Sequence, residues 1–308
     1  MPAEHNPERP DAAEVRRAAG RAAASYDDAA VLQREVGRRM AERLALVRLQ
    51  PATILDAGCG TGEALTELTA RYPDATTIEI DFAERMIATA RQRAAALSTP
   101  PGGVVAKLLG ARARSRGATS FVCGDATRLP LERDSIDLVW SNLMLPSVGE
   151  PAKALAEFLR VLKVGGLLMF TTLGPDTLKE LRAAFAGIDR ATHVARFVDM
   201  HDVGDALVET GFADPVMDAE TISLTYADGV AMMRELKAIG AHNTTLDRPR
   251  GLMGRARWAR MLAALERSRR DGRQPATFEV VYGHAWKPEA RFAADGRAIV
   301  RFERRTGG

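Results

Sequence analysis

The chain has 308 residues, 46% hydrophobic and 27% charged, an ordinary composition for a globular protein that can bury a sizeable core. With 43 basic against 40 acidic side chains the formal charge is only +3, so whole-molecule electrostatics demand no nucleic-acid partner. No apolar run approaches the roughly 18 residues of a membrane span, and the opening MPAEHNPERPDAAEVRRAAG lacks the apolar stretch of a signal peptide, so a cytoplasmic location with no membrane attachment is expected.

Residues 1–10 are expected to be disordered. Residues 11–50 read as helical, with Leu32, Val36, Met40, Leu44 and Val47 forming a stripe that packs on a sheet. From 53 to 172 apolar strand-like runs (53–57, 76–80, 119–123, 136–141, 166–172) alternate with helical patterns (63–72, 83–96, 151–162), as a doubly wound parallel sheet requires. The turn Lys163-Val164-Gly165-Gly166 is expected to end the third helix with a left-handed glycine cap. Residues 98–118, rich in proline, glycine and arginine, read as a long loop. Beyond the fifth strand come helices near 176–186 and 202–210, the second closed by Gly211 and with Asp202 as a capping residue. Strands at 213–226 and 277–286 then flank a helical excursion over 228–270, in which Trp258, Met261, Leu262 and Leu265 share a face. The division expected is a tail and helical cap over 1–50, a main domain over 51–288 with a lid at about 228–272, and a tail over 289–308.

The first strand runs into Ile-Leu-Asp-Ala-Gly-Cys-Gly-Thr-Gly at 54–62, a glycine turn before a helix. A dinucleotide loop needs Gly-x-Gly-x-x-Gly, and position 63 is Glu, whose carboxylate would also repel a diphosphate at the helix N-terminus. The turn resembles instead the glycine motif of the S-adenosylmethionine-dependent methyltransferases with a Rossmann-like sheet.

Candidate ligand residues cluster at the carboxyl ends of the expected strands, where open α/β sheets bind ligands. Asp56 ends the first strand, and Gly58, Gly60 and Gly62 let the backbone approach the cofactor. Asp81, about 20 residues further on, suits the ribose hydroxyls and equally an N-cap. Met86 can flank the adenine or simply fill the core. Asn142 ends the fourth strand and should face the methyl-transfer end. Tyr26 and Gln33 are placed to reach over the cleft from the N-terminal helices, with Tyr26 the leading candidate beside the reacting oxygen. The superfamily resemblance further implies that Asp125 accepts from the adenine amino group and that the Ala126 amide reaches a ring nitrogen.

Cys59 and Cys123 read as buried free thiols, and the five histidines form no metal constellation, although His201 could line the substrate side. Arginines dominate the segment from Asp247 to Arg273, a basic patch suited to an acidic partner or a solvated face.

Longer segments narrow the resemblance. ASYDDAAVLQREV, NLMLPSVGEP, RVLKVGGLLMFTTLGPDTLKELRAAF, FVDMHDVGDALVETGFADPVMD and TFEVVYGHAWKP are similar to the malonyl-acyl-carrier-protein O-methyltransferases of the biotin pathway over about residues 20–288. That resemblance implies an α/β fold with a seven-stranded Rossmann-like class I methyltransferase sheet, helices on both faces and a helical lid before the last strand. It implies S-adenosylmethionine as cofactor, no metal, and methylation of the free carboxylate of a malonyl thioester on acyl carrier protein or coenzyme A. Arg255, Arg257 and Arg260 would then help dock the acidic carrier. Pro146-Ser147 departs from the aromatic pair common after the Asn-Leu-x-Leu segment, which leaves open another small carboxylate or metabolite as acceptor, or a protein of the related mitochondrial branch that binds the cofactor and assists assembly or hydroxylation.

Overall fold

The computed structural model describes residues 8–98 and 117–289. Seven strands, β1 (Thr53–Ala57), β2 (Thr76–Asp81), β3 (Thr119–Cys123), β4 (Ile136–Ser141), β5 (Leu162–Leu173), β6 (Ala213–Tyr226) and β7 (Gln274–Trp286), form one sheet in the order β3-β2-β1-β4-β5-β7-β6. The first five are parallel; β7 runs antiparallel between β5 and β6. The chain reverses its strand order between β1 and β4, which opens a crevice at their carboxyl ends.

Ten helices of the described residues cover the sheet: α1 (Ala12–Ala22), α2 (Tyr26–Ala29), α3 (Val31–Leu44), α4 (Glu63–Arg71), α5 (Glu84–Ser98), α6 (Pro151–Val161), α7 (Lys179–Ala186), α8 (Met200–Thr210), α9 (Gly229–Ala238) and α10 (Arg255–Glu266). Apolar positions spaced by three and four decide what each buries. Leu32, Val36, Met40 and Leu44 of α3 join Ile54, Leu138 and Leu167 of the sheet, with α4, α7, α9 and α10 in the same cluster. On the other face Leu155 and Phe158 of α6 and Val203 and Leu207 of α8 pack against Leu55, Val139, Leu168 and Phe170.

Several expectations change in detail. The helical N-terminus is three helices, and α3 shares the main core of the sheet. Pro10, assigned to the disordered tail, bridges Thr245, while residues 1–7 of that tail lie outside the described residues. So do 99–116 of the long loop and 290–308.

The Lys163–Gly166 turn is no helix cap. α6 ends at Val161, and β5 begins at Leu162 pairing with Ile136 before the register shifts; Gly165 at φ 75° serves that bulge. Asp199 rather than Asp202 caps α8, accepting from His201 N at 2.8 Å. The excursion between β6 and β7 is two helices, and its apolar stripe is anchored, since Met232, Leu236, Met261 and Leu265 are core residues. None of the described helices is long and apolar enough to cross a membrane.

Candidate cofactor and acceptor site

The turn after β1 is fastened to β2: Gly58 N and Cys59 N both donate to Ile80 O, at 2.8 and 3.0 Å. Gly58, Gly60 and Gly62 all have positive φ, so glycine is required by the backbone itself. A side chain at Gly58 would also run into Met144, and one at Gly62 would press on Ala90 of α5 at 3.1 Å. Only Gly60 faces open space, beneath the Tyr26 ring. Gly62 therefore serves the packing of α4 against α5 and does not line the cleft, contrary to the expectation for all three.

Asp81 is part of the turn's scaffold. Its Oδ2 accepts from Gly60 N at 3.1 Å and its Oδ1 from Ala83 N at 2.8 Å. Its carboxyl still faces the cleft, and burial raises its pKa against the pull of those two amides. Asp56 is buried at the floor, and burial, chiefly, raises it to about 7.

Asn142 is clamped on both sides. Its Nδ2 donates to Gln33 O at 2.9 Å, and its Oδ1 accepts from Thr171 Oγ1 at 2.8 Å, which in turn accepts from Leu143 N. It ties α3 to β4 and β5, and the second Nδ2 hydrogen and the second Oδ1 lone pair are not used by these contacts. Among the described residues the buried Gln33 Oε1 meets no donor and the buried Nε1–H of Trp140, which lines the same pocket, meets no acceptor. The Tyr26 phenol stays protonated, because burial and then the carboxylates of Asp81, Asp27 and Glu63 push its pKa up.

From this turn a cleft of about 1600 Å³ extends along the crevice. Near the turn it is lined by Tyr26, Gln33, Gly58, Gly60, Asp81, Met86, Asp125, Ala126 and Asn142, with Asp56 on the small pocket that adjoins it. Met86 is buried, whereas Asp125 is exposed, its Oδ1 accepting from both Thr127 N and Thr127 Oγ1 at 2.8 Å. The far side is apolar: Leu143, Leu173, Leu178, Phe185, Phe197 and Trp258 form its wall. Pro146 and Ser147 border it.

His193, not His201, reaches this wall, stacked on Phe185 at 4.0 Å and bonded to Asp189 at 2.8 Å. His201 points to solvent beside Asp199. Cys59 is buried as expected but Cys123 is exposed. The described residues contain no group of three metal-ligating side chains. Arg255 and Arg260 are exposed, and Arg257 lies 3.6 Å from Asp189. Trp140, Thr171 and Glu79 went unnoticed in the sequence. Each sits in an apolar or alternating strand run, and only pairing across the sheet gives it meaning.

Comparison with known proteins agrees with this geometry. Residues 55–170 match a methyltransferase domain family. A malonyl-[acyl-carrier protein] O-methyltransferase of Laribacter hongkongensis is 57% identical, over 95% of this chain and 96% of its own. One of Gallionella capsiferriformans is 51% identical over 93% and 94%, respectively. Among solved structures, the YcgJ protein of Bacillus subtilis superimposes with a TM-score of 0.54 at 16% identity, covering 83% of this chain and 98% of that one, which shows the fold. A methyltransferase-type protein of Bacillus halodurans gives 0.54 at 15% identity, over 81% and 97%. Likeness over nearly the whole length of both chains, at more than half of all positions, leaves the assignment plain: this chain belongs to the family of malonyl-[acyl-carrier protein] O-methyltransferases.

Proposed function

We propose that this protein transfers a methyl group from S-adenosylmethionine to the free carboxylate of a malonyl thioester carried on acyl carrier protein, an early step of biotin synthesis. The observation that carries the reading is a single cleft joining the glycine-turn pocket to a long apolar wall, in a chain whose full-length relatives bear this activity in their names. The acids and orphan acceptor of that pocket suit the cofactor in kind. Asp56 and the Gln33 Oε1 are acceptors for an amine, Asp81 for ribose hydroxyls and Asp125 for the adenine amino group, while the Ala126 N–H is a donor for a ring nitrogen, with Met86 against the adenine face.

When bound, the cofactor supplies an electrophilic methyl group on a sulfonium; the acceptor oxygen bonds to that carbon as its bond to sulfur breaks. No base is required, because a carboxylate with a reference pKa near ~4 is already ionised at neutral pH. The work left to the protein is alignment and exclusion of water. Asn142 and Thr171 fix the edge of the cleft where the two halves meet. The Tyr26 phenol, held protonated, is a neutral donor that can orient the acceptor oxygen without quenching its charge. A cation in its place would orient the nucleophile and weaken it. Leu143, Leu173, Leu178 and Trp258 would hold the acyl arm, and the exposed Arg255, Arg257 and Arg260 would meet the acidic carrier. A cytoplasmic location accords with two free cysteines.

Methyl transfer from labelled S-adenosylmethionine to malonyl-carrier protein, with malonyl-coenzyme A and unmalonylated carrier in parallel, tests the reading. A methyl ester formed only when malonate is present is expected. Cofactor binding without transfer to either malonyl thioester would reject malonate as the acceptor and turn attention to the Pro146-Ser147 border.

A further inference from the structure

Asp56 on β1 and Glu79 on β2 are register partners in the parallel pair, so their side chains leave the sheet next to each other on the face that carries Ile54. Both are buried, Asp56 at 2% exposure and Glu79 at 0%. Among the described residues, neither Glu79 oxygen meets a nitrogen or hydroxyl donor, and the Cys59 thiol beside it is only a weak one. On the other flank of Asp56 its register partner is Trp140, an indole and not a cation.

The titratable groups acting on the pair are Asp81, from β2, and the Cys59 thiol of the glycine turn, itself pushed up by burial and by these acids. From α2, Tyr26 lies within the fields of Asp81, of Asp27 and of Glu63 at the start of α4. The nearby cation Arg93 is engaged by Asp27 and Glu63. Two adjacent buried carboxylates without a countercharge beside them do not both ionise, since desolvation and repulsion act in the same direction. One proton held between them gives each acid a partner, through a short charge-assisted hydrogen bond.

We propose that Glu79 is a positioning residue of the cofactor site: it holds that proton and donates it to Asp56, leaving Asp56 a single oriented anion for the cationic amine of the cofactor's amino-acid end. Asp56 lines the pocket and Glu79 stands behind it. Burial raises both acids, and Glu79, behind the pocket wall, keeps the shared proton while Asp56, on the pocket, is the member that titrates. The inference rests on the cofactor reading above and adds a consequence to it. Below its raised pKa Asp56 acquires a proton of its own, which must leave before the amine is bound. Affinity therefore falls as pH is lowered through that pKa and levels off above it.

Titration calorimetry of the full chain with S-adenosylhomocysteine, from about pH 5.5 to 8.5 in two buffers of different ionisation heat, reads this directly. The expected dissociation constant rises toward tenfold per pH unit on the acid side, with close to one proton released per ligand bound. Glu79→Gln keeps an amide donor behind Asp56 and should stay within about threefold of the parent, whereas Glu79→Leu removes the donor and should weaken binding about tenfold or more. Binding that is independent of pH and releases no proton would overturn the proposal. So would equal losses in the Gln and Leu variants, the mark of a merely structural acid. The proton count on the unmodified protein decides the matter even if Glu79→Leu fails to fold. Absence of any binding by the unmodified protein would instead reject the cofactor reading itself, and this inference with it.

Discussion

Asp81 holds the glycine turn through Gly60 N and Ala83 N and also presents its carboxylate to the cleft, so the residue that builds the turn is also placed to meet a ligand. A hydrogen bond to a charged acceptor is worth roughly 1.5–3 kcal/mol. Asp81→Ala should therefore weaken S-adenosylmethionine binding by about 10- to 100-fold in a protein that still folds, as calorimetry and thermal unfolding together can establish. Unchanged affinity in the folded variant would remove Asp81 from the site. The position of this acid at a strand end was legible in the sequence, as were those of Asp56 and Asp125, because parallel strands deliver their last residues to one rim, and Met86 follows on the helix after β2. What each residue touches there was not legible. Asn142 was placed at the end of the fourth strand, but that Gln33 O and Thr171 Oγ1 fix the orientation of its amide was not visible. Thr171 lies 29 residues away on the neighbouring strand, and no local pattern connects the two.

The helix α3 illustrates the same division at the level of elements. Its four-residue apolar stripe is plain in the sequence, but the stripe does not say whether it belongs to a detachable cap or to the core. In the fold Met40 and Leu44 are fully buried within the main cluster. The polar edge of the helix is bound to the end of the sheet, with Arg39 2.6 Å from Glu220, Arg43 2.6 Å from Asp218, and the Arg43 guanidinium 3.7 Å above the Tyr282 ring. Truncating Met40 to alanine should thus cost about 2–5 kcal/mol of global stability. Denaturant unfolding should show one transition at a lower midpoint. A separate early transition of the N-terminal helices, with the remainder unaffected, would mark them as an independent cap. The misplaced Lys163–Gly166 cap has a related cause: a left-handed glycine closes a helix or relieves a bulge equally well, and only the pairing of Leu162 with Ile136 decides between them.

For the molecule as a whole the charge is nearly balanced, so any electrostatic preference must come from where the charges sit. α10 begins with Arg255, Arg257 and Arg260 exposed, with no acidic residue in its first turn and no side-chain cap. Cations at a helix N-terminus lie at the unfavourable end of the backbone dipole, and Asp189, 3.6 Å from Arg257, is a loose counterion. Trp258 of the same helix lines the cleft, so this positive potential stands beside the entrance that an acyl arm would use. An acidic carrier protein docking here would relieve the potential while its arm enters. Exposed ion pairs contribute about 0.2–1 kcal/mol each, and three together amount to roughly a tenfold effect on binding. Reversing all three arginines to glutamate should raise KM for malonyl-carrier protein by at least about that factor at low salt, and the gap should narrow as the Debye length falls below about 8 Å. A short malonyl thioester without a carrier, which never meets this face, should keep its KM. If both substrates suffer equally, the arginines act on the folded cleft and the carrier docks elsewhere.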